Sequence, residues 1–428
     1  MKIAPDQLAR QLESELGVDT VTADPTELVS HTVDGIEPVL VCTPREPEQV
    51  AAAIRTCAEA DATLIPWGGG TAMALGNPPR RAEVILSTVR LNRLIDHDHA
   101  NLTVTAGSGI ILSALQTALL SHAQFVAIDP PYSDRSTMGG IVAANLNGPR
   151  RSYYGSVRDL VIGMKVVLGS GAQIKAGGKV VKNVAGYDMS KLFIGSLGTL
   201  GIITELTVRV SPIPEQSATG LSSGTLQQVL QLAENLAHSK LLPSAVVVCN
   251  DPGGQNWQLA VCFEGFQQSV QRQLGDLELM ARTFGIPMEP RRGRDEKQIW
   301  QPIQDFPLQS DRVIYRVTVP RASVTKVLET AQGSPFGALN TAVSADLAMG
   351  TIWLAKTPTK TAAVDFANLI AWAEQERGHA VLFRASPDLK AGVAVWGPSP
   401  PTLSLMREIK QQFDPKGILN LGRFVGGL

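Results

Sequence analysis

Gly195, Gly198 and Gly201 stand three residues apart and lead into the run Ile202–Val210. There Ile203, Glu205 and Thr207 alternate with Ile202, Thr204, Leu206 and Val208, the period of a strand. The cluster therefore precedes a strand, whereas in a Rossmann unit or a P-loop it follows one and opens a helix. Main-chain amides without side chains in the way can still converge on an anionic ligand there. Alone, the cluster reads equally as a turn between a helix and a strand. Gly68, Gly69, Gly70 and Thr71 form a second such loop, in PWGGGTAM. Met73 occupies the place of the third glycine of G-x-G-x-x-G, and no Lys-Ser/Thr follows for a P-loop. Gly139, Gly140, Asn145 and Gly148 make a third glycine-rich, amide-rich loop. Three of them exceed what turns require and could cradle one long, phosphate-bearing ligand from several sides.

Other reactive side chains are scattered. Cys42, Cys57, Cys249 and Cys262 have neither metal-ligand spacing nor a C-x-x-C, and their apolar surroundings suit buried, inert thiols. The sequence thus reads as carrying no iron–sulfur cluster or cysteine zinc site of its own. His97 and His99 are two residues apart and could hold a metal, but a solvated turn explains them as well. Arg150, Arg151 and Arg158 near the glycine loops and Arg384 further on could face a carboxylate, and none is singled out.

The elements that must position these loops are legible in outline. Leu8, Leu12 and Leu16 at i, i+4, i+8 predict an amphipathic N-terminal helix, not a signal peptide. Pro38–Cys42, a helix from Pro47 to Ala60 and Ala62–Ile65 read as a strand–helix–strand unit ending in the triple-glycine loop. A strand, a short link holding Leu91 and Leu94, another strand and a helix over Ile111–Leu120 follow, then a strand over Gly163–Leu168. After the proline-rich Ser211–Gln216 the glycine loops stop. Strands at Ala245–Cys249, Gln258–Phe263, Val313–Val319, Thr351–Leu354 and His379–Arg384 alternate with helices at Ser269–Phe284, Val324–Ala331 and Ala363–Arg377. That alternation predicts an antiparallel sheet with helices on one face, an α+β architecture. Past Pro398–Pro401 a helix resumes, with Leu405, Ile409 and Phe413 at i+4 spacing.

With 38 Lys and Arg against 39 Asp and Glu, the net charge of -1 argues against nucleic acid or an anionic membrane surface. No apolar run reaches the roughly 18 residues of a membrane span. A cytoplasmic protein, or one peripheral to the inner face of a membrane through partners, is expected.

PWGGGTAM, TMGGIVAANLNG, KNVAGYD with GSLGTLGIIT, and a terminal DPKGILNLGR, in that order, resemble the FAD-binding flavoproteins of the vanillyl-alcohol oxidase, or PCMH, type. Within these the likeness is to the glycolate and D-lactate oxidase group, above all its glycolate oxidase FAD-binding (E) subunits. The motifs span Pro38–Val210 and the last fifteen or so residues; the middle matches only by position and coarse pattern. The resemblance implies a two-lobed FAD domain topped by an α+β cap. The expected boundaries are 1–36 for an N-terminal helical segment, 37–211 for the FAD domain, 212–400 for the cap and 401–428 for a segment returning to the FAD domain. Carried over, Pro66, Gly68, Gly69, Gly70 and Thr71 would wrap the pyrophosphate. Thr137, Met138, Gly139, Gly140, Asn145 and Gly148 would line pyrophosphate and flavin. Gly198, Gly201, Ile202 and Ile203 would meet the adenosine part, and Asn420 and Arg423 would return to the flavin domain.

Leu421 stands where the family usually has proline, and Thr71 where some relatives have the histidine that attaches flavin covalently, so the FAD is expected to be non-covalent. The GHxGDGNxH-like segment of the hydroxy-acid dehydrogenases is missing; His379 in RGHAVLFRASPD is the nearest candidate base, without a partner. No metal site and no identified catalytic residue follow.

The leading expectation is the FAD-binding subunit of a glycolate oxidase or dehydrogenase. It would oxidise a 2-hydroxy acid such as glycolate or D-lactate by hydride transfer to FAD and pass electrons to partners, an iron–sulfur subunit among them. The alternatives are a D-lactate or other 2-hydroxy-acid dehydrogenase complete in one polypeptide, and a non-catalytic FAD-binding scaffold subunit.

Overall fold

The structure, a computed structural model, describes residues 3–178, 187–250, 256–309, 311–333 and 341–428. Lys182–Gly186 of the KNVAGYD motif lie outside the described residues.

The N-terminal helix Pro5–Leu16 buries Leu8, Leu12 and Leu16 in one core with Val50, Ile54 and Cys57 of the helix Pro47–Ala60. A proline in the first turn and a Glu46/Gln49 capping box start that second helix. Asp61, left-handed at φ 54°, ends it, and Ala62 bonds back to the carbonyl of Cys57. The helix cap thus consumes the residues expected to open a strand, which runs instead over Leu64–Trp67. It joins a four-stranded sheet in the order Val21–Thr22, Leu40–Cys42, Val84–Ser87, Leu64–Trp67. The last three strands are parallel.

A five-stranded antiparallel sheet follows, ordered Leu94–Asp98, Thr103–Gly107, Ile202–Arg209, Val161–Val167, Gln173–Gly177. Ile202–Arg209 is its central strand, and Thr204 and Thr207 are buried like their apolar neighbours. The segment with Leu94, expected as a link, is an edge strand whose Leu94 and Ile95 face solvent, so no buried stripe marks it. Met138–Ala144, expected within a loop, is a short helix capped by Thr137, whose Oγ1 accepts from the Gly140 amide at 3.3 Å. Ile141 and Val142 bury its inner side, and Gly139 lets the backbone pass Ser108, which a Cβ would strike at 2.7 Å.

Ser211–Pro212 still pairs with the first half of the chain, and Gln216–Gly224 begins a different sheet. That eight-stranded antiparallel sheet runs Met288–Arg291, Gln216–Gly224, Trp257–Gly265, Ala245–Asn250, Thr341–Asp346, Thr351–Lys356, Val313–Thr318, His379–Arg384. Helices Leu226–His238, Gln267–Thr283, Val324–Gly333 and Ala362–Gln375 cover one face. The other face carries Arg294–Asp305 through Trp300. Its remainder packs Ile314, Ala342, Ala355 and Phe383 into one core with Met138, Ile141 and Phe193. One sheet face therefore closes over the glycine loops.

The last helix, Leu403–Phe413, leaves Leu405 of its apolar stripe 54% exposed and buries Lys410. Lys410 donates to Asp414 at 2.6 Å and to the carbonyls of Thr199 and Leu419 at 2.7 and 2.9 Å. Burial of an ammonium is tolerable only with such partners. They moor the C-terminus, and the Asn420 amide then bonds the Leu64 carbonyl at 2.7 Å.

Candidate functional site

Pro66–Thr71, Thr137, Gly139, Gly140, Gly198, Gly201, Ile202, Ile203 and Asn420 line one cleft, with Arg423 beside them. The loops meet because they lack side chains. A Cβ on Gly68 would lie 2.2 Å from Thr137 Oγ1, one on Gly69 1.8 Å from the Arg135 carbonyl, and one on Gly201 2.5 Å from Val166 Cγ1. Gly198 has φ +72°, and its Cβ would meet Pro66 Cγ at 2.4 Å, so neither backbone nor space admits a larger residue. Thr71 Oγ1 and Ser136 Oγ, 2.9 Å apart, pin the triple-glycine loop to the third loop.

Two buried polar atoms of this cleft have no partner among the described residues, Asn420 Oδ1 and Arg423 Nε. Asn420 is held by its Nδ2, which donates to the Leu197 carbonyl at 2.6 Å. Arg423 donates through Nη1 to Asp34 Oδ2 at 3.0 Å and through Nη2 to the carbonyls of Met73 and Leu75, both at 2.6 Å. Lys390 shares the same carboxylate, 2.7 Å from Asp34 Oδ1. Burial pushes both cations down in pKa while Asp34 holds them up, so one carboxylate faces two cations. Bare loop amides, an unused acceptor, an unused donor and surplus positive charge suit a dinucleotide with an anionic centre.

The structure divides the third loop. Met138 is buried in the core, and Asn145 and Gly148 line a second cavity, not the first cleft. That cavity lies between Asn145–Arg151 and the bare face of the eight-stranded sheet. In register, Ser344 stands opposite Trp353, Asp346 opposite Thr351, Trp353 opposite Arg316, and Thr318 opposite both Thr351 and His379. Arg151 crosses from the first half, donating to Thr351 Oγ1 at 2.7 Å and lying 4.0 Å from Asp346 Oδ2.

Among the arginines that the sequence offers as carboxylate partners, Arg151 alone lines this cavity. Arg150 is paired with buried Glu264 at 3.0 Å, Arg158 caps the Lys191 carbonyl, and Arg384 lines a separate cavity with Asp34. His379, exposed at the start of its strand, lines the cavity too, and partial desolvation, with Arg316 nearby, lowers its pKa. Asp346 accepts from the amides of Ala348 and Met349, and burial pushes it up to about 6 against the pull of Arg151. Both can take up a proton.

Arg316 lines the same cavity, and the sequence reading misses it. A single cation amid the apolar strand VIYRVT is the signal that could find it. The rings of His97, His99 and His122 do gather, with His99 and His122 stacked at 4.1 Å. The described residues nonetheless contain no group of three His, Cys, Asp or Glu placed to hold a metal. None of the four cysteines forms a disulfide, and Cys249 is only half-buried.

Residues 38–177 match the family of FAD binding domains. Across the whole chain the fold is that of p-cresol methylhydroxylase, with a TM-score of 0.73 at 17% identity over 98% of this chain and 96% of that one. The chain thus carries an FAD-binding domain over those residues, within a fold of the PCMH type. More particularly, it is a homologue of glycolate oxidase subunit GlcE of Escherichia coli, 29% identical over 85% of this chain and 93% of that protein. It is 35% identical to glycolate oxidase subunit GlcD of Bacillus subtilis over 50% of this chain, spanning 46% of that relative's length. It is 29% identical to a D-lactate dehydrogenase of Archaeoglobus fulgidus over 58% of this chain and 60% of that enzyme. No helix among the described residues is long and apolar enough to cross a membrane.

Proposed function

We propose that the chain oxidises a 2-hydroxy acid, glycolate or D-lactate, to the 2-oxo acid with a non-covalently held FAD. It does so as a subunit of a glycolate oxidase-like assembly that includes an iron–sulfur subunit for electron exit. The observation that carries this reading is the continuity of one segment. Thr137, Gly139, Gly140, Ala143 and Ala144 line the glycine cleft, and the residues that follow, Asn145–Pro149 and Arg151, line the cavity beneath the sheet. A dinucleotide lying in the first is thereby joined to a chamber where a small polar substrate can meet it. Bound FAD would supply the hydride acceptor. The protein's own groups would fix the pyrophosphate through the amides of Gly68–Thr71, Gly139 and Gly140, and the adenosine part along Gly198–Ile203. Asn420 Oδ1 and Arg423 Nε would be satisfied from the cofactor, while Asn145 and Gly148 would bound it on the side of the cavity. His379 or Asp346 would take the hydroxyl proton of the substrate. Names of the relatives support the substrate class, and Thr71, unable to form the histidyl link, supports non-covalent binding. The division into an N-terminal segment, FAD domain, cap and returning C-terminal segment is part of the same proposal, supported by the change of sheet between Pro212 and Gln216.

The test is turnover of the purified, FAD-loaded protein with glycolate and D-lactate, using a dye acceptor in place of a partner. Dye reduction that follows one acid supports the reading. Flavin-loaded protein that reduces no dye with either acid, alone or with added GlcD- and iron–sulfur-type partners, refutes it.

A further inference from the structure

The second cavity holds a cation that nothing among the described residues neutralises. Arg316 projects from Val313–Thr318 on the face opposite Tyr315, which stacks on Phe366 under the helices. Its Nε is buried and without a hydrogen-bond partner, and no carboxylate among the described residues pairs with its guanidinium. Aromatic rings flank it, Trp353 at 5.9 Å and Phe383 at 5.8 Å from Cζ. Such rings leave a charge desolvated and supply only a weak compensation. Burial and the like charge of Arg151 push it down to about 10, still protonated at neutral pH. The neighbouring cation is differently placed, because Arg151 is already committed to Thr351 and Asp346. A half-buried guanidinium with a buried, unpartnered Nε is costly unless an anion meets it, so a cavity that keeps one bare suits an anion arriving from outside.

We propose that Arg316 is the substrate's carboxylate anchor: its planar fork takes the carboxylate of the 2-hydroxy acid, with Arg151 held aside as the cavity wall. Pairing of a guanidinium with a carboxylate is bidentate and directional, which a lysine cannot reproduce. A carboxylate fixed there sits one strand from His379, which stands opposite Thr318, two residues beyond Arg316. Anchoring the acid group therefore brings the substrate hydroxyl within the compass of an imidazole that can accept its proton. The assignment rests on reading the protein as a 2-hydroxy-acid oxidoreductase, and it makes this subunit, and not only a partner, a site of substrate binding.

The experiment titrates the FAD-loaded protein with oxalate, an unreactive analogue, and follows the perturbation of the flavin band. Arg316→Gln should retain its flavin and weaken oxalate by about 50-fold, the size of a lost charged hydrogen-bonded pair. Arg316→Lys, which keeps the charge but not the fork, should weaken it about tenfold. The KM for the hydroxy acid should rise in parallel, beyond any change in kcat. Oxalate binding as in the wild type by flavin-loaded Arg316→Gln would overturn the assignment. Should that variant lose its flavin, wild-type affinity in Arg316→Lys would overturn it equally. A wild-type protein that binds no oxalate and is reduced by no 2-hydroxy acid would instead sink the functional reading beneath it.

Discussion

Asp129 gives the most quantitative consequence of the way the cavity wall is held. Its carboxylate is buried beneath Asn145–Arg151, accepts from the Arg150 amide at 3.2 Å, and would be struck at 2.3 Å by a Cβ on Gly148. Burial pushes it up from 3.8 to about 7, against the lowering pull of Arg150. A carboxyl whose folded pKa is raised binds its proton more tightly when folded. Its contribution is therefore favourable below the unfolded value and is lost as pH rises through the folded one. Between pH 4 and pH 7 stability should fall by about 1.4 kcal/mol per unit from this group, reaching about 4 kcal/mol by pH 8. Asp129→Asn, which mimics the protonated carboxyl and keeps an acceptor for Arg150, should abolish that decline. Denaturant unfolding of both FAD-saturated proteins at pH 5 and pH 8 measures it. The variant's stability relative to the wild type should improve by about 3 kcal/mol across that interval. Parallel pH profiles would refute the reasoning, because they would mean that Asp129 is ionised in the folded protein at little cost.

Three further outcomes follow from the same geometry. Gly198→Ala places a side chain at φ +72° against the Pro66 ring; it should cost about 2 kcal/mol and release flavin on gel filtration, read by melting temperature and bound absorbance. Asn420→Asp removes the donor to the Leu197 carbonyl and sets a negative charge against an anionic ligand. It should weaken FAD at least about tenfold in an equilibrium titration, and unchanged affinity would count against this residue's place in the cleft. Lys410→Met leaves Asp414 buried without its cation and should destabilise the protein by about 3–5 kcal/mol in denaturant unfolding.

The glycine loops are legible in the sequence because a close backbone approach admits one residue type. Gly68, Gly69 and Gly201 mark the cleft in the sequence as plainly as in space. Helices with strong caps or stripes, Pro5–Leu16 and Pro47–Ala60, are legible for the same local reasons. What local pattern cannot convey is which sheet face will be covered. Gln216–Gly224 is rich in Ser, Thr and Gly and carries no strand signal, although it is an interior strand of the eight-stranded sheet. The division of Thr137–Gly148 between two chambers depends on where the helix Met138–Ala144 ends, at Asn145 with φ 49°. Arg316 escapes notice because a charged residue in a strand ordinarily faces water, whereas the face that closes over the first half turns it into a cavity and buries its Nε. In the stripe Leu405, Ile409, Phe413 of the last helix, Phe413 does meet Phe193 in the core, but Leu405 is exposed and paired Lys410 takes the interior.

The central claim is that this protein holds FAD without a covalent bond and passes it a hydride from a 2-hydroxy acid. The most direct measurement is its visible spectrum after purification, under anaerobic conditions, before and after addition of glycolate and then D-lactate, followed by acid precipitation. The predicted result is an oxidised flavin band that one of the acids bleaches, and FAD released into the supernatant. A flavin band that neither acid bleaches, or flavin that stays with the precipitated protein, would contradict it.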